Sequence, residues 1–92
     1  MTYHHAGYIA RLARFNNCPV ISIHRDCNMR GQTQWDVLIG LDQYTGFREA
    51  SVPTKSEAFE IARDIAKASD GFITAIYAQR GSFRDMRKVS LT

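Results

Sequence analysis

Two cysteines and three histidines are the residues of this 92-residue chain best suited to metal binding or nucleophilic catalysis. Cys18, His24 and Cys27 offer three ligands of the kind that zinc takes, but a structural zinc site normally closes with four. The spacing also lacks the C-x-x-C pair that marks most such sites. A metal site is therefore not expected, and both cysteines are predicted to be free thiols. No apolar leader segment indicates an oxidising compartment, so no disulfide is expected either.

Catalytic motifs are equally absent from the sequence. A cysteine acting with His24 needs an orienting acid and an oxyanion pocket, and no residue pattern marks either of them. The six glycines are scattered singly, so no glycine-rich loop can cradle a phosphate or a dinucleotide. We expect no enzyme activity, no cofactor and no small-molecule substrate, and a small thiol or metal enzyme is kept only as a third alternative.

Arginine is the side chain that points most clearly to a function. The chain has nine arginines against three lysines, and guanidinium groups suit bidentate or stacked contacts with phosphates, carboxylates and bases. Candidate binding cations lie on the polar side of a predicted N-terminal helix, in a predicted loop and in the C-terminal segment: Arg11, Arg14, Arg25, Arg30, Arg84, Arg87 and Lys88. Phe83 and Met86 are interleaved with the C-terminal cations, a combination that favours stacking on bases.

The aromatic and apolar residues allow a second interpretation. Phe83 and Met86, with Val89 and Leu91 after them, also fit a C-terminus that is anchored to the sheet. Tyr44 and Phe47 flank a predicted turn, where exposed aromatic side chains favour a protein interface. Nucleic-acid binding and protein binding therefore both stay open.

Charge is distributed unevenly along the chain, whose net charge is +3. Residues 1–34 carry four arginines and one aspartate, and residues 71–92 carry four cations and one aspartate. Residues 35–70 carry four cations against seven carboxylates. The two basic ends predict a surface that faces an anionic partner. No apolar run is long enough for a membrane span, so we expect a cytoplasmic protein with no membrane partner.

The apolar pattern predicts the elements that position these residues. A Thr54–Glu57 capping box precedes alanines and isoleucines at helical spacing, which predicts a helix over residues 55–69. Residues rich in β-branched or alternating apolar side chains predict strands over residues 20–24, 35–39, 47–52 and 72–78. The remaining segments are predicted as a helix within residues 2–17, an exposed loop over residues 26–34, a turn with Gly46 in a special backbone conformation, and a basic C-terminal arm over residues 81–92.

Together these elements predict one small domain over residues 1–92. Compact domains usually contain about 100–150 residues, so the chain has no room for a second one. The predicted fold class is α+β in the order α-β-β-β-α-β, with an antiparallel sheet and the helices packed on one face. The C-terminal arm is expected either to dock on the sheet or to become ordered with a partner.

The segment from Pro19 to Ala66 resembles a double-stranded RNA-binding domain in its order of elements. The match places Gly31 before strand residues 35–39 and lets residues 54–58 open the last helix. That family contacts phosphates through a Lys-Lys-x-Ala-Lys helix start. Lys55 is the single cation at the matching positions here, and Glu57 adds a carboxylate. The resemblance therefore implies a topology more than an RNA-binding surface.

The whole chain also resembles the small phage-encoded anti-CRISPR proteins, in particular inhibitors of type I-F surveillance complexes. The similarity covers its size, its single α+β domain and its lack of catalytic or metal motifs. It implies a non-enzymatic inhibitor in the host cytoplasm that docks on Cas proteins and their crRNA and blocks target DNA recognition. The alternative function is a stand-alone RNA- or DNA-binding module.

Overall fold

The structure, a computed structural model, describes residues 19–42 and 44–91, except for the side chains of residues 83 and 84. Five strands and one helix are found in this part of the chain. They are β1 (Val20–Cys27), β2 (Thr33–Gly40), β3 (Gly46–Val52), α1 (Lys55–Ala68), β4 (Ala75–Arg80) and β5 (Ser82–Val89). The order is therefore β-β-β-α-β-β.

All five strands belong to one sheet, in the order β3-β2-β1-β4-β5. The pairs β1–β2, β2–β3 and β4–β5 are antiparallel, whereas β1 and β4 are parallel. The predicted antiparallel sheet is thus wrong, because α1 carries the chain back along the sheet before β4 begins. Its 14 residues span about 21 Å at 1.5 Å per residue, close to the length of a strand of seven or eight residues. The crossover therefore lets β4 run in the same direction as β1.

The helix begins and ends much as its sequence predicts. Thr54 is the N-cap, and its side-chain oxygen accepts a hydrogen bond from the Glu57 backbone N–H at 3.2 Å. In return, the Thr54 hydroxyl donates to the Glu57 carboxylate at 3.1 Å, in place of the backbone contact of a standard capping box. After the helix, Asp70 and Gly71 adopt positive φ angles of 53° and 89°, which reverse the chain toward β4.

The main core lies between α1 and one face of the sheet. Ala58, Ala62 and Ala66 form the buried stripe of the helix, and small side chains there let the helix lie close to the strands. They pack against a layer of strand side chains made of Ile21, Ile23, Val37, Ile39, Ile76 and Ala78. This arrangement confirms the predicted helix and its apolar face.

The opposite face of the sheet is also buried, but its chemistry is mixed. Val20, Leu38 and Ala75 form a second apolar cluster against the half-buried Tyr77. Beside them the sheet carries a set of buried polar side chains: Ser22, His24, Asp36 and Gln79. Alternation of side chains along each strand separates this polar face from the helix-covered face.

Several predicted boundaries need correction. The predicted order α-β-β-β-α-β misses β5, because its residues lack the apolar alternation that marks a strand. The predicted helix within residues 2–17 lies outside the described residues. The loop predicted over residues 26–34 is shorter in the structure and covers residues 28–32, because β1 continues to Cys27 and β2 begins at Thr33. Gly46 lies within β3 and is not among the residues with positive φ.

Candidate nucleic-acid interface

Four cations lie toward one end of the sheet. Because β1 and β4 are parallel, their carboxyl ends lie together, and α1 begins at that same end. Arg25 lies near the end of β1, Arg30 in the loop after it, Arg80 at the end of β4 and Lys55 in the first turn of α1. We call these four residues the basic end. The N-terminus of the helix adds a partial positive charge to it.

Arg25 is held against the turn between β4 and β5. Its backbone N–H donates to the Gln79 side-chain oxygen at 3.0 Å, and its guanidinium Nη2 donates to the Gly81 carbonyl at 3.2 Å. The Gln79 amide group donates to the same Gly81 carbonyl at 2.8 Å. Gly81 has a φ of 82°, which a tight turn between two strands requires. Arg25 is therefore exposed but oriented.

Lys55 lies between two aromatic rings and the sheet. Its Nζ donates to the backbone carbonyl of Gln79 at 3.0 Å. The same nitrogen lies 5.2 Å from the centroid of the Trp35 ring and 5.8 Å from that of the Phe59 ring. Trp35 is half-buried and is paired in register with Arg25 on the neighbouring strand. A cation held near aromatic rings and a carbonyl loses part of its side-chain freedom before any partner arrives.

Arg30 occupies an exposed turn whose backbone is fixed by Asn28. The Asn28 side-chain oxygen accepts hydrogen bonds from the backbone N–H groups of Arg30 and Gln32, at 2.9 and 3.0 Å. Gly31 completes the turn with a φ of 77°. The loop is therefore ordered by its own hydrogen bonds, while the guanidinium of Arg30 is exposed to solvent.

Carboxylates near the basic end already make contacts with other groups of the chain. The Asp26 carboxylate accepts from the Cys27 backbone N–H at 2.8 Å, and Glu57 is engaged in the helix cap. On β5, a hydrogen bond from Arg87 to Asp85 at 2.7 Å lowers the pKa of Asp85, and the Coulomb attraction of Arg87 and Arg80 adds to this shift. The same contact raises the pKa of Arg87. Asp85 thus offsets part of the charge of Arg80 and Arg87.

A cleft of about 440 Å³, called the polar cleft because most of its lining residues are polar, opens between the loop after β1 and the end of β3. It is lined by Asn28, Gln32, Thr33, Gln34, Ser51, Val52 and Pro53. The side-chain NH2 group of Gln34 donates to the Asp36 carboxylate at 3.0 Å, which leaves the side-chain carbonyl of Gln34 as an acceptor. The side-chain carbonyl of Gln32 accepts a hydrogen bond from the side-chain amide of Asn28 at 3.0 Å, which leaves the side-chain NH2 group of Gln32 as a donor. Side-chain amides of this kind can pair with the edges of nucleic-acid bases.

The predicted site residues do not form one surface. Arg25 and Arg30 belong to the basic end, while Tyr44 lies at the opposite end, in the turn between β2 and β3. Arg87 and Lys88 are exposed on the edge strand β5, on opposite faces of the sheet. Phe83 and Arg84 lie in β5, and Arg11 and Arg14 lie outside the described residues. The apolar residues of the C-terminal segment differ in burial. Val89 packs on the core, Met86 is half-buried and Leu91 is partly exposed.

Lys55 and Arg80 are the two members of the basic end that the sequence did not single out as site residues. The signal was present in the pattern, since a strand that is apolar on both faces after a helix is typical of parallel pairing. Parallel pairing would have placed the end of β4 next to the end of β1 and the start of the helix. In the antiparallel sheet that the sequence analysis predicted, the end of β4 would lie away from the end of β1.

A serine and a histidine lie within hydrogen-bond distance on the buried polar face. Ser22 Oγ is 2.6 Å from His24 Nε2, and Asp36 is paired in register with His24. These residue types occur in catalytic triads, but Ser22 and His24 are each 0% exposed. A substrate therefore has no direct access to the Ser22 hydroxyl as the described residues are arranged. Ser51 and Gln34 donate to the Asp36 carboxylate at 2.6 and 3.0 Å.

Among residues 19–42 and 44–91, no group of three or more potential ligands is placed to hold a metal ion. Within the same residues, no helix has the length and apolar character that a membrane crossing requires. Cys27 is an exposed free thiol.

Comparisons of the chain with protein-family models, with curated proteins and with solved structures found no match.

Proposed function

We propose that this chain is a non-enzymatic binding protein that inhibits a type I-F CRISPR surveillance complex. In this proposal it docks on the Cas proteins and their crRNA and prevents target DNA from pairing with the guide. The observation that carries the proposal is the basic end, since the fold places Arg25, Arg30, Lys55 and Arg80 toward the same end of the sheet. The type of complex comes from the resemblance to small anti-CRISPR proteins.

The basic end has the properties of a surface that binds phosphates. Arg25 and Lys55 are oriented by hydrogen bonds to the backbone carbonyls of Gly81 and Gln79, so less side-chain entropy is lost on binding. Arg30 and Arg80 are exposed and extend the charged surface on either side. Guanidinium groups in such positions can bind phosphate oxygens in a bidentate manner.

The positive net charge of the chain favours a contact with the guide RNA of the complex. It disfavours a contact with the groove in which the complex binds DNA. An inhibitor that imitates DNA has to be strongly acidic, whereas this chain has a net charge of +3. A basic end instead attracts the phosphates of crRNA that Cas subunits leave exposed. Binding there would obstruct the pairing of target DNA with the guide without imitating a duplex.

The direct test combines a pull-down with a DNA-binding assay. Tagged protein is incubated with purified type I-F complex loaded with crRNA, and target duplex DNA is then added in a gel-shift experiment. We expect the chain to co-purify with the complex and to abolish the shift of the target DNA. If the chain fails to bind the complex at micromolar concentration and low salt, the proposal is wrong.

The second candidate function is a stand-alone RNA- or DNA-binding module, which the polar cleft favours. The cleft presents the side-chain amide group of Gln32 and the side-chain carbonyl of Gln34, so the edge of one unpaired base could be bound there. Fluorescence anisotropy with single-stranded RNA and DNA oligonucleotides at low salt tests this function. Binding to free oligonucleotides without binding to the complex would favour it over the inhibitor.

A further inference from the structure

The polar cleft presents hydrogen-bonding groups whose roles are fixed by their neighbours. An isolated side-chain amide can turn over and exchange its donor for its acceptor, and an isolated hydroxyl can rotate freely. Three side chains of the cleft lose this freedom, because each belongs to a set of contacts that ends in a group able only to donate or only to accept. They are Gln32, Gln34 and Ser51.

Gln32 is fixed as a donor by the turn before β2. The Asn28 side-chain oxygen accepts from the backbone N–H groups of Arg30 and Gln32, at 2.9 and 3.0 Å. Because backbone N–H groups only donate, the NH2 group of Asn28 is the part that faces the Gln32 side chain. It donates to the Gln32 side-chain carbonyl at 3.0 Å. The NH2 group of Gln32 is therefore available to donate to a ligand.

Gln34 and Ser51 are fixed as acceptors by Asp36, whose side chain is 1% exposed. The Gln34 NH2 group and the Ser51 hydroxyl donate to the same Asp36 oxygen, at 3.0 and 2.6 Å. A carboxylate accepts hydrogen bonds and donates none, so neither contact can be reversed. The side-chain carbonyl of Gln34 and the lone pairs on Ser51 Oγ are therefore available as acceptors.

The order of these three groups follows the direction of β2. Gln32 precedes the strand, Gln34 lies near its start, and Ser51 is paired in register with a residue two positions further along. The polar cleft thus offers a donor, an acceptor and an acceptor, in that order. Val52 and Pro53 add apolar surface to its lining. Its volume of about 440 Å³ lies within the range of roughly 300–1,000 Å³ that is usual for small-ligand pockets.

This set of groups complements a planar ring that carries an acceptor, a donor and a donor along one edge. Guanine has that edge, because its O6 accepts while its N1–H and its N2 amino group donate. Uracil ends in an acceptor at either side, and cytosine has an acceptor in the middle position, so each of them would face an acceptor of the cleft. Adenine offers two groups and leaves the third position of the cleft unpaired.

We propose that the polar cleft binds one unpaired guanine of a single-stranded nucleic acid. The Gln32 NH2 group donates to O6, the Gln34 carbonyl accepts from N1–H, and Ser51 Oγ accepts from the N2 amino group. This inference rests on the second candidate function, nucleic-acid binding, and names the base that the chain selects. The guanine has to be unpaired because a duplex uses the same edge for the partner base. Arg30 lies in the same turn as Gln32, and its charge attracts the phosphates of the strand.

Fluorescence anisotropy with RNA pentamers at low salt tests the proposal. Each pentamer carries one variable base between two pairs of uridines, and this base is guanine, hypoxanthine, adenine, cytosine or uracil. Hypoxanthine is guanine without the N2 amino group. We expect the guanine pentamer to bind most tightly and the hypoxanthine pentamer to bind roughly tenfold more weakly, the loss caused by one missing hydrogen bond.

Ser51→Ala separates this contact from general effects. The change removes the acceptor for the N2 amino group, so the preference for guanine over hypoxanthine should disappear. The ratio of the two affinities does not depend on protein stability, since both pentamers meet the same fraction of folded chain. Ser82→Ala is the matched control, because Ser82 is exposed and begins β5 at the other edge of the sheet. It should leave the ratio unchanged.

The outcomes distinguish this inference from the functions on which it depends. If all five pentamers bind equally, or if Ser51→Ala keeps the preference for guanine over hypoxanthine, the inference is overturned while nucleic-acid binding stands. If no pentamer binds, the inference and the second candidate function are both wrong, and the pull-down with the type I-F complex still decides the inhibitor. If the chain prefers guanine but does not bind the complex, the inhibitor is wrong and the inference is supported.

Discussion

Neutralising the exposed arginines of the basic end should reduce the salt dependence of binding in proportion to the phosphates they contact. Arg30 and Arg80 are exposed, whereas Arg25 and Lys55 also contact backbone carbonyls. We therefore choose Arg30→Gln and Arg80→Gln, since neither change removes a hydrogen bond that supports the fold. Surface substitutions of this kind usually change stability by less than about 0.5 kcal/mol.

The expected magnitude follows from counterion release. Each single-strand phosphate contact contributes about 0.7 to the slope of log affinity against log salt, so the double variant should lose about 1.4 of that slope. Between 50 and 200 mM salt, the unsubstituted chain should then lose about seven times more affinity than the double variant. The assay is a salt titration of binding to crRNA-loaded complex.

A cation at the other end of the molecule provides the control. Lys67 lies in the last turn of α1 and is exposed, so Lys67→Gln removes one positive charge, as Arg30→Gln alone does, but away from the basic end. Its slope should equal that of the unsubstituted chain. If Lys67→Gln lowers the slope as much as Arg30→Gln does, binding depends on total charge, and the basic end as a defined site is refuted.

Three further predictions concern stability and titration. Thr54→Ala should lower the free energy of unfolding by about 1 kcal/mol in a urea titration, because the helix cap is lost, while Thr54→Ser should be close to neutral. Lys55→Met should cost about 1–2 kcal/mol in the same titration, since it removes a charged hydrogen bond to the Gln79 carbonyl, and a loss below about 0.5 kcal/mol would contradict the contact. By NMR titration, the pKa of Asp85 should lie below its usual value and should rise in Arg87→Gln. Because a lowered carboxyl pKa stabilises the fold only above the unfolded pKa, that contribution should disappear in acid and be small, as the pair is exposed.

The helix and the first three strands were predictable because their signals are local. A capping box and apolar residues at helical spacing placed the helix over residues 55–69, and the structure gives Lys55–Ala68. The predicted strand over residues 47–52 corresponds to Gly46–Val52. In the helix, β1 and β2, the apolar side chains that mark the element are largely the ones that it buries, so the local pattern and the tertiary structure agree.

The last strand and the strand directions left weaker signals in the sequence. β5 alternates charged and apolar residues irregularly, and it is a strand because β4 offers a free edge after the turn at Gly81. The direction of β4 depends on how far α1 carries the chain back, which is a tertiary property. Because Lys55 and Arg80 reach the basic end only through that geometry, the candidate site was only half predicted.

A small α+β domain with basic ends and no recognisable catalytic motif can be predicted from the amino-acid sequence. Those properties follow from composition and local periodicity, which do not require knowledge of distant contacts. The folded chain was needed to show that β1 and β4 run parallel, that Arg25, Arg30, Lys55 and Arg80 lie toward one end of the sheet, and that Tyr44 lies at the opposite end. The reason is physical, since residues 55 positions apart, such as Arg25 and Arg80, come together only when a crossover aligns the ends of their strands.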